Sequence, residues 1–152
     1  MYKIMIVDDE AIMREGLMNL VDWKTIGFEV VADFEDGQEA LEYLKNNEVD
    51  VLLTDIKMTF VSGLDLARYV DEQKLSTKVV LISGYKDFEY AREAVKYNVV
   101  QYLLKPISLK EIKRVFTEIR MEIDKERENQ KRQKDHQRKY DELISFMQDQ
   151  FF

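Results

Sequence analysis

The stretch from Asp50 to Asp55 constrains the fold of this chain more than any other part of the sequence. Its interior, Val51 to Thr54, holds four apolar or β-branched residues without a polar interruption. Such a run is typical of a strand that is buried on both faces, as in a parallel sheet covered by helices. Because ligands of these sheets bind beyond the carboxyl ends of the strands, Asp55 is a candidate for chemistry, although a lone Asp after a strand is more often a turn residue.

The rest of the sequence repeats the order strand then helix. Further strands are predicted at residues 3–7, 28–34, 78–82 and 99–104. Helices are predicted from Ala11 to about Val21, from Asp36 or Gly37 to Asn46 or Asn47, and from Gly63, Asp87 and Ser108 onwards. Five such units over about 120 residues predict an α/β fold, with a flavodoxin-like, doubly wound parallel sheet of order 2-1-3-4-5. In that order the third strand lies beside the first, in the middle of the sheet.

Local patterns add detail to the helices. The first helix is predicted to carry four apolar residues on one face, which are Ile12, Leu17, Leu20 and Val21. Residues 22–27 are predicted as an irregular connection that ends at Gly27. The fourth helix is predicted to contain Ala91, Ala94 and Val95.

Length and composition exclude several classes of protein. The 152 residues suit one domain with an appendage, and no apolar run approaches the roughly 20 residues that cross a bilayer. The absence of cysteine excludes a disulfide framework and favours a reducing cytoplasm. The net charge of −7 makes non-specific nucleic-acid binding unfavourable, so contact with DNA is expected only through an output domain that this chain lacks.

Polar side chains stand at the ends of four predicted strands. They are Asp8, Asp9, Asp55, Ser83 and Lys105. The proposed strand order brings the three carboxylates into one pocket, where they cannot all stay ionised without a proton or a cation. Oxygen ligands with room for water suit Mg²⁺, and the absence of a nearby histidine makes zinc or iron unfavourable.

This arrangement predicts phosphoryl chemistry. A carboxylate such as Asp55 can attack phosphorus and form an aspartyl-phosphate, while the Ser83 hydroxyl and the Lys105 ammonium contact phosphoryl oxygens. Pro106 follows Lys105 directly, and a cis peptide bond is predicted between them. Each piece alone is more often a turn or a loop, and it is their joint occurrence at four strand ends that favours a functional site.

The same residues form motifs that resemble the receiver domain of bacterial two-component response regulators. The resemblance covers about residues 1–124. Its motifs are Ile-Val-Asp-Asp-Glu (6–10), Leu-Thr-Asp-Ile-Lys-Met (53–58) with Gly63, Leu-Ile-Ser-Gly (81–84) and Tyr-Leu-Leu-Lys-Pro (102–106).

The resemblance implies a role for each matching residue. Asp55 would accept a phosphoryl group from a sensor histidine kinase. Mg²⁺ would be bound by Asp9, Asp55 and the backbone carbonyl of Lys57, with Asp8 acting through water. Ser83 and Lys105 would contact the phosphoryl group, and Tyr102 would turn inward on activation.

Two further segments refine the resemblance. Thr59 stands where the family usually has proline, which predicts a more mobile loop after Asp55 and leaves the effect on dephosphorylation and kinase docking open. Residues 22–28 and 83–91 resemble the subgroup of receivers that precede an AraC-type DNA-binding domain.

The last part of the chain is predicted to be helical. Residues 125–139 contain neither glycine nor proline, and apolar residues share a seven-residue register at two sets of positions. These sets are Ile112, Ile119, Tyr140 and Met147, and Phe116, Ile123, Ile144 and Phe151. We therefore expect a receiver domain at 1–124 and a helical linker or coiled coil at 125–152, which dimerises, stays solvated or folds back.

The sequence thus predicts a signal receiver, not an enzyme beyond self-phosphorylation and slow autodephosphorylation. Phosphorylation would switch the face of the fourth helix, fifth strand and fifth helix, which controls a DNA-binding output. A homodimer is expected through that face or through the C-terminal helix. The alternatives are a Mg²⁺-dependent aspartate-nucleophile phosphatase, in which Lys57 replaces the expected second Asp, and a phosphorylation-independent interaction module.

Overall fold

Five parallel strands form the centre of the fold in a computed structural model that describes residues 1–84 and 88–151. The strands are β1 (Tyr2–Val7), β2 (Phe28–Phe34), β3 (Val51–Asp55), β4 (Lys78–Ser83) and β5 (Gln101–Leu104). They pair in the order β2-β1-β3-β4-β5. The predicted α/β fold and strand order are confirmed.

Four helices connect successive strands, and a fifth follows the last strand. They are α1 (Ala11–Asn19), α2 (Gly37–Asn46), α3 (Gly63–Glu72), α4 (Phe88–Ala94) and α5 (Leu109–Phe151). Side-chain oxygens of Asp36 and Ser62 accept the third backbone N–H of α2 and α3, which is why these helices begin there. Ser108 caps α5 in the same way. The predicted cap of α4, Asp87, lies outside the described residues.

The central strand is as buried as its composition predicts. All five residues of β3 are buried, and β3 lies between β1 and β4. Its register places Thr54 beside Val7 of β1 and Leu81 of β4. Since Val7 and Thr54 are paired, the residues that follow them, Asp8 and Asp55, leave the sheet side by side.

The four apolar residues predicted to share one face of α1 differ in burial, and the helix ends at Asn19 rather than at about Val21. Leu17 and Val21 are buried, but Ile12 is 88% exposed and Leu20 is 69% exposed. Ile12 lies in the first turn of α1, next to the polar carboxyl edge of the sheet. Helical spacing predicts which residues share one side of a helix, but it does not predict which turns of that side are covered by the core. Leu20 is the last residue with helical dihedrals, and its N–H still donates to the Gly16 carbonyl.

Residues 22–27 contain a helical turn, Trp23–Ile26, instead of an irregular connection. Asp22 caps the turn by accepting the N–H of Thr25, and Gly27 ends it in the left-handed region at φ 103°. The turn buries Trp23 against Phe116, with ring centroids 4.9 Å apart. The sequence missed this turn because it is too short to show a period.

The region before β5 also differs from the prediction. A 3₁₀ turn, Val95–Tyr97, follows α4, so Val95 lies outside the helix that was predicted to contain it, and it is 77% exposed. Asn98 then adopts a left-handed conformation with φ 57°. This reversal delays the start of β5 to Gln101, two residues later than expected.

The chain forms two compact units, residues 1–116 and 117–152. The first contains the sheet and its core. The second is helical, and Asp124 to Gln150 are exposed apart from the half-buried Asp135. No helix within the described residues has the length and apolar content to cross a membrane.

Candidate functional site

Three carboxylates meet at the carboxyl edge of the sheet. Asp8 and Asp9 follow β1, and Asp55 is the last residue of β3. One carboxylate oxygen from each lies within 4.8 Å of the others, while Asp8 and Asp55 are buried and Asp9 is exposed. The parallel pairing of β1 with β3 produces this convergence, because it aligns the ends of the two strands.

The Asp8 carboxylate has one satisfied and one unsatisfied oxygen. Its Oδ1 accepts the N–H of Glu10 at 2.9 Å. Its Oδ2 is buried without a hydrogen-bond partner among the described residues. A buried polar atom of this kind is costly, and a cation would satisfy it. Since the donors are carboxylate oxygens, the residues fit a hard divalent ion such as Mg²⁺.

Burial dominates the electrostatics of the two inner carboxylates. It raises the pKa of Asp8 to about 6, with a smaller contribution from the charge of Asp55. Burial also raises the pKa of Asp55, although the Lys105 charge and a hydrogen bond from the Lys57 N–H oppose the rise. The site therefore holds negative charge that the fold itself does not fully compensate.

Lys105 reaches the pocket from the end of β5. Its Nζ lies 3.5 Å from Asp55 Oδ2 and 3.7 Å from Glu10 Oε1. Burial lowers the pKa of Lys105, but the carboxylates of Asp55, Asp8 and Glu10 outweigh that effect and raise it. Its backbone N–H donates to the Ser83 carbonyl at 2.8 Å, and the Lys105–Pro106 peptide bond is cis.

Ser83 and Tyr102 are joined by a hydrogen bond. Ser83 ends β4, one strand away from Asp55, and is fully buried. Tyr102 lies on β5 and is half-buried. Their hydroxyl groups are hydrogen-bonded to each other. Thus the two residues that were predicted to act in a switch are in direct contact.

The loop between β3 and α3 lies beside the carboxylates. The Lys57 N–H donates to the Asp55 carboxylate, and the N–H of Gly63 donates to the Ile56 carbonyl at 3.0 Å. Phe60 is 96% exposed and has φ 66°, a conformation that is costly for a residue with a side chain. Thr59, in the position where proline was expected, is exposed.

Gly63 allows α3 to begin directly against the phosphoacceptor candidate. A Cβ at this position would lie 2.1 Å from the carbonyl oxygen of Asp55. Such a distance is far below van der Waals contact, so any side chain would displace either the helix or the end of β3. The glycine therefore determines how closely the loop can pack against Asp55.

Arg14 is a site residue that sequence reasoning missed. Its Nη1 donates to the backbone carbonyl of Asp8 at 2.7 Å, and its Nε lies 3.2 Å from Asp33 Oδ2. Arg14 thus connects the segment after β1 to β2 and holds the backbone that carries the carboxylates. No sequence period marks this contact, because it joins a side chain to the backbone of a preceding loop and to a different strand.

Glu10 belongs to the Ile-Val-Asp-Asp-Glu motif, and it also participates in the site. Its N–H orients Asp8, and its carboxylate is a second partner of Lys105. The structure brings together Asp8, Asp9, Asp55 and Lys105, and links Ser83 to Tyr102 and to the Lys105 backbone.

Comparisons with known proteins agree with this geometry. The family model of the response regulator receiver domain matches residues 4–117. The transcriptional regulatory protein YesN of Bacillus subtilis is 33% identical over 151 residues, which cover 99% of this chain and 41% of YesN. HptR of Staphylococcus aureus, also a transcriptional regulatory protein, is 37% identical over 107 residues, which cover 70% of this chain and 42% of HptR. The chain therefore spans about two fifths of the length of these relatives.

Solved structures give the same result. The receiver domain of the response regulator AraT from Geobacillus stearothermophilus has a TM-score of 0.77 and 41% identity, and the match covers 83% of this chain and 98% of that domain. A two-component transcriptional regulator AraC from Clostridium phytofermentans has a TM-score of 0.72 and 31% identity, and the match covers 80% of this chain and 94% of that chain. With the strand order and the carboxylate pocket already described, these matches show that the chain belongs to the response regulator receiver domain family.

Proposed function

We propose that this chain receives a signal as a phosphoryl group on Asp55, donated by a phosphohistidine of a sensor kinase. The observation that supports this most directly is the convergence of three carboxylates within 4.8 Å with the Lys105 ammonium 3.5 Å from Asp55. Phosphoryl transfer depends mainly on positioning and charge neutralisation, and this pocket offers both.

In the proposed reaction, a carboxylate oxygen of Asp55 attacks phosphorus and forms a new O–P bond. The N–P bond of the donor breaks, and its electron pair remains on the imidazole nitrogen. Lys105 offsets negative charge on one phosphoryl oxygen, and the Ser83 hydroxyl donates to another. Since Ser83 now bonds Tyr102, this contact has to be exchanged when the phosphoryl group arrives.

Asp9, Asp55 and the Lys57 carbonyl are the proposed ligands of Mg²⁺, with Asp8 acting through water. When bound, Mg²⁺ supplies positive charge that neutralises the carboxylates and the incoming phosphoryl oxygens. The unsatisfied Oδ2 of Asp8 supports this assignment, because it gives the pocket a buried acceptor for the ion or its water.

The proposed switch runs from Ser83 to Tyr102. A hydroxyl that turns towards the phosphoryl group releases Tyr102, which then moves inward and reshapes the face formed by α4, β5 and α5. The added charge is local, but it would shift the equilibrium between two arrangements of this face. The Ser83–Tyr102 hydrogen bond supports it by placing the two side chains in contact.

We also propose the organisation of the longer protein. Residues 1–124 act as the receiver, and residues 125–152 lead to a DNA-binding output domain of the AraC type, with homodimers formed through α5 or the switched face. The names of YesN, HptR and AraT, which describe transcriptional or response regulators, support this organisation. Receiver domains of this family are generally not enzymes, so we infer only self-phosphorylation and slow autodephosphorylation.

Intact-mass measurement tests the proposal. The full chain is incubated with acetyl phosphate and Mg²⁺, and we expect a gain of one phosphoryl group that is lost in Asp55→Asn. Asp50→Asn is the matched control, because Asp50 precedes the amino end of the same strand and should leave the gain intact. A gain that persists in Asp55→Asn would refute the assignment, and sustained phosphate release from varied organic phosphates would instead support the phosphatase.

A further inference from the structure

Basic residues are concentrated in one part of the second compact unit. Residues 125–139 hold seven basic and three acidic residues, a net charge of +4, although the whole chain has a net charge of −7. This segment lies in the middle of α5, and all seven basic residues are exposed. The charge of the whole chain therefore does not describe this part of its surface.

Four of these residues form a basic stripe along the helix, which consists of Arg127, Lys131, Lys134 and Arg138. They follow one another at intervals of four, three and four residues, so a helix of about 3.6 residues per turn places them within an arc of about 60°. The stripe is about 16 Å long, because each residue adds about 1.5 Å along the axis. The acidic residues between its ends, Glu128 and Asp135, fall outside this arc, and Glu128 is paired with Arg132 at 2.6 Å.

The centre of the basic stripe is not neutralised by the part of the chain that the structure describes. The ammonium groups of Lys131 and Lys134 form no ion pair or hydrogen bond with a described residue. At the end of the stripe, Arg138 Nε lies 3.9 Å from Glu142 Oε1, and a pair of exposed groups at this distance contributes little. The stripe therefore presents positive charge to an anionic partner.

We propose that the basic stripe binds the phosphate groups of duplex DNA without reading the base sequence. Duplex DNA carries one negative charge per about 1.7 Å of its axis, so a stripe about 16 Å long faces on the order of ten phosphates. Lysine and arginine side chains on an exposed helix can contact phosphate oxygens without entering a groove. Such contacts position a protein on DNA and carry no sequence information.

The composition of the segment favours DNA over a membrane surface. A helix that lies on a membrane inserts an apolar face, and residues 125–139 contain no apolar side chain. The choice of DNA among polyanions rests on the proposed function, in which residues 125–152 lead to a DNA-binding output domain. An output domain bound to its site would hold the stripe at high local concentration beside phosphates, so contacts that are weak alone would strengthen the binding of the longer protein.

Fluorescence anisotropy of a labelled duplex of about 30 base pairs, titrated with the full chain in about 50 mM salt, tests the inference. The logarithm of the association constant should fall with the logarithm of the salt concentration with a slope of about −3 to −4, as expected for four phosphate contacts. Two duplexes of unrelated sequence should bind equally well, because phosphates are the only groups contacted.

Two double variants with the same change in net charge locate the binding surface. Lys131→Gln with Lys134→Gln removes two charges from the stripe, and it should weaken binding by about tenfold or more and bring the salt slope about 2 closer to zero. Lys125→Gln with Lys139→Gln is the matched control, because both lysines lie outside the arc of the stripe, and it should change the affinity by less than about threefold. Glutamine favours a helix about as well as lysine does, so far-UV circular dichroism should be unchanged in both variants.

Three outcomes would overturn the inference. The first is the absence of DNA binding by wild type at low salt, and the second is an equal loss of binding in the two double variants. Vesicles of phosphatidylserine and phosphatidylcholine provide the third, since binding of these vesicles through the stripe without binding of DNA would identify a membrane surface as the partner. Binding of DNA that is weakened only by the Lys131→Gln and Lys134→Gln changes supports the inference.

Asp55→Asn separates this inference from the proposed function. In that variant the phosphoryl gain should disappear while DNA binding remains, and the Lys131→Gln and Lys134→Gln variant should show the opposite pattern. A wild-type chain that gains the phosphoryl group but does not bind DNA would refute this inference alone. A wild-type chain that binds DNA through the stripe but gains no phosphoryl group would refute the proposed function alone.

Discussion

Asp8 should make the metal-free protein less stable as pH rises. Its folded-state pKa of about 6 lies above the ordinary value of 3.8, mainly because the carboxyl is buried. Between these values the folded protein binds more protons than the unfolded chain, so the free energy of unfolding falls as pH increases. The penalty is absent below 3.8 and complete above about 6.

The magnitude follows from the two pKa values. At about 1.36 kcal/mol for each pKa unit, the difference between 3.8 and about 6 corresponds to about 3 kcal/mol above pH 6. At about pH 5 roughly half of this penalty is already present, so about 1.4 kcal/mol develops between about pH 5 and about pH 8.

Urea unfolding of wild type and Asp8→Asn, with a chelator present, measures the effect. The amide of the variant leaves a buried N–H₂ group unsatisfied, but that cost does not change with pH. The informative quantity is therefore the change with pH in the difference between the two unfolding free energies. We expect the variant to gain about 1.4 kcal/mol relative to wild type between about pH 5 and about pH 8.

Asp22→Asn is a control of opposite sign. Hydrogen bonds from the Thr25 side chain and backbone lower the pKa of Asp22, so it contributes stability above its unfolded-state pKa and loses it as pH falls through the folded-state value. This variant should lose stability relative to wild type as pH rises through the acidic range. A difference for Asp8→Asn that stays flat or has the same sign as the Asp22→Asn difference would refute the reasoning.

Three further predictions concern the site. Mg²⁺ should raise the thermal midpoint of wild type, as any ligand of the folded state does, and this rise should shrink in Asp8→Asn; an equal rise in both would show that Asp8 does not contribute. Gly63→Ala should cost about 1–3 kcal/mol in urea unfolding, because its Cβ would lie 2.1 Å from the Asp55 carbonyl oxygen. Gly16→Ala, whose Cβ would meet its nearest atom at 4.0 Å, should instead gain about 0.5–1 kcal/mol. Arg14→Gln should weaken Mg²⁺ binding in calorimetry through loss of the bond to the Asp8 carbonyl, with a smaller effect from Asp33→Asn; equal and unchanged affinities would reduce Arg14 to a packing role.

The sheet was predictable because buried parallel strands leave a direct mark in the sequence. The apolar run from Val51 to Thr54 identifies a buried strand without information about its neighbouring strands. Once the strand order is known, the residues that follow each parallel strand are expected at the same edge of the sheet. The convergence of Asp8 and Asp55 therefore followed from topology alone, without knowledge of any side-chain conformation. The pairing of β1 with β3 aligns the ends of the two strands, and one oxygen from each of the three carboxylates lies within 4.8 Å of the others.

Contacts between a side chain and a distant backbone group were not predictable in this way. The bond from Arg14 to the Asp8 carbonyl has no sequence period, and the exposed, left-handed Phe60 depends on the path of one loop. The Ser83–Tyr102 contact joins residues whose positions depend on the register of β4 with β5, where Leu81 pairs with Tyr102 and Ser83 with Leu104. Such features require coordinates because they depend on three-dimensional adjacency.

Lys105 connects the charge of the pocket to the edge of the sheet. Its ammonium is shared between Asp55 and Glu10, at 3.5 Å and 3.7 Å, and its backbone N–H is bonded to Ser83. Under the proposed function, negative charge added at Asp55 competes with Glu10 for the ammonium and with Tyr102 for the Ser83 hydroxyl. Ser83 ends β4 and Lys105 follows β5. A charge change at the end of β3 would therefore alter two contacts, Lys105 with Glu10 and Ser83 with Tyr102. Glu10→Gln removes a competitor for Lys105, so we expect it to alter the movement of Tyr102 that accompanies phosphorylation. Phosphorylation itself should persist, because Glu10 is not the acceptor.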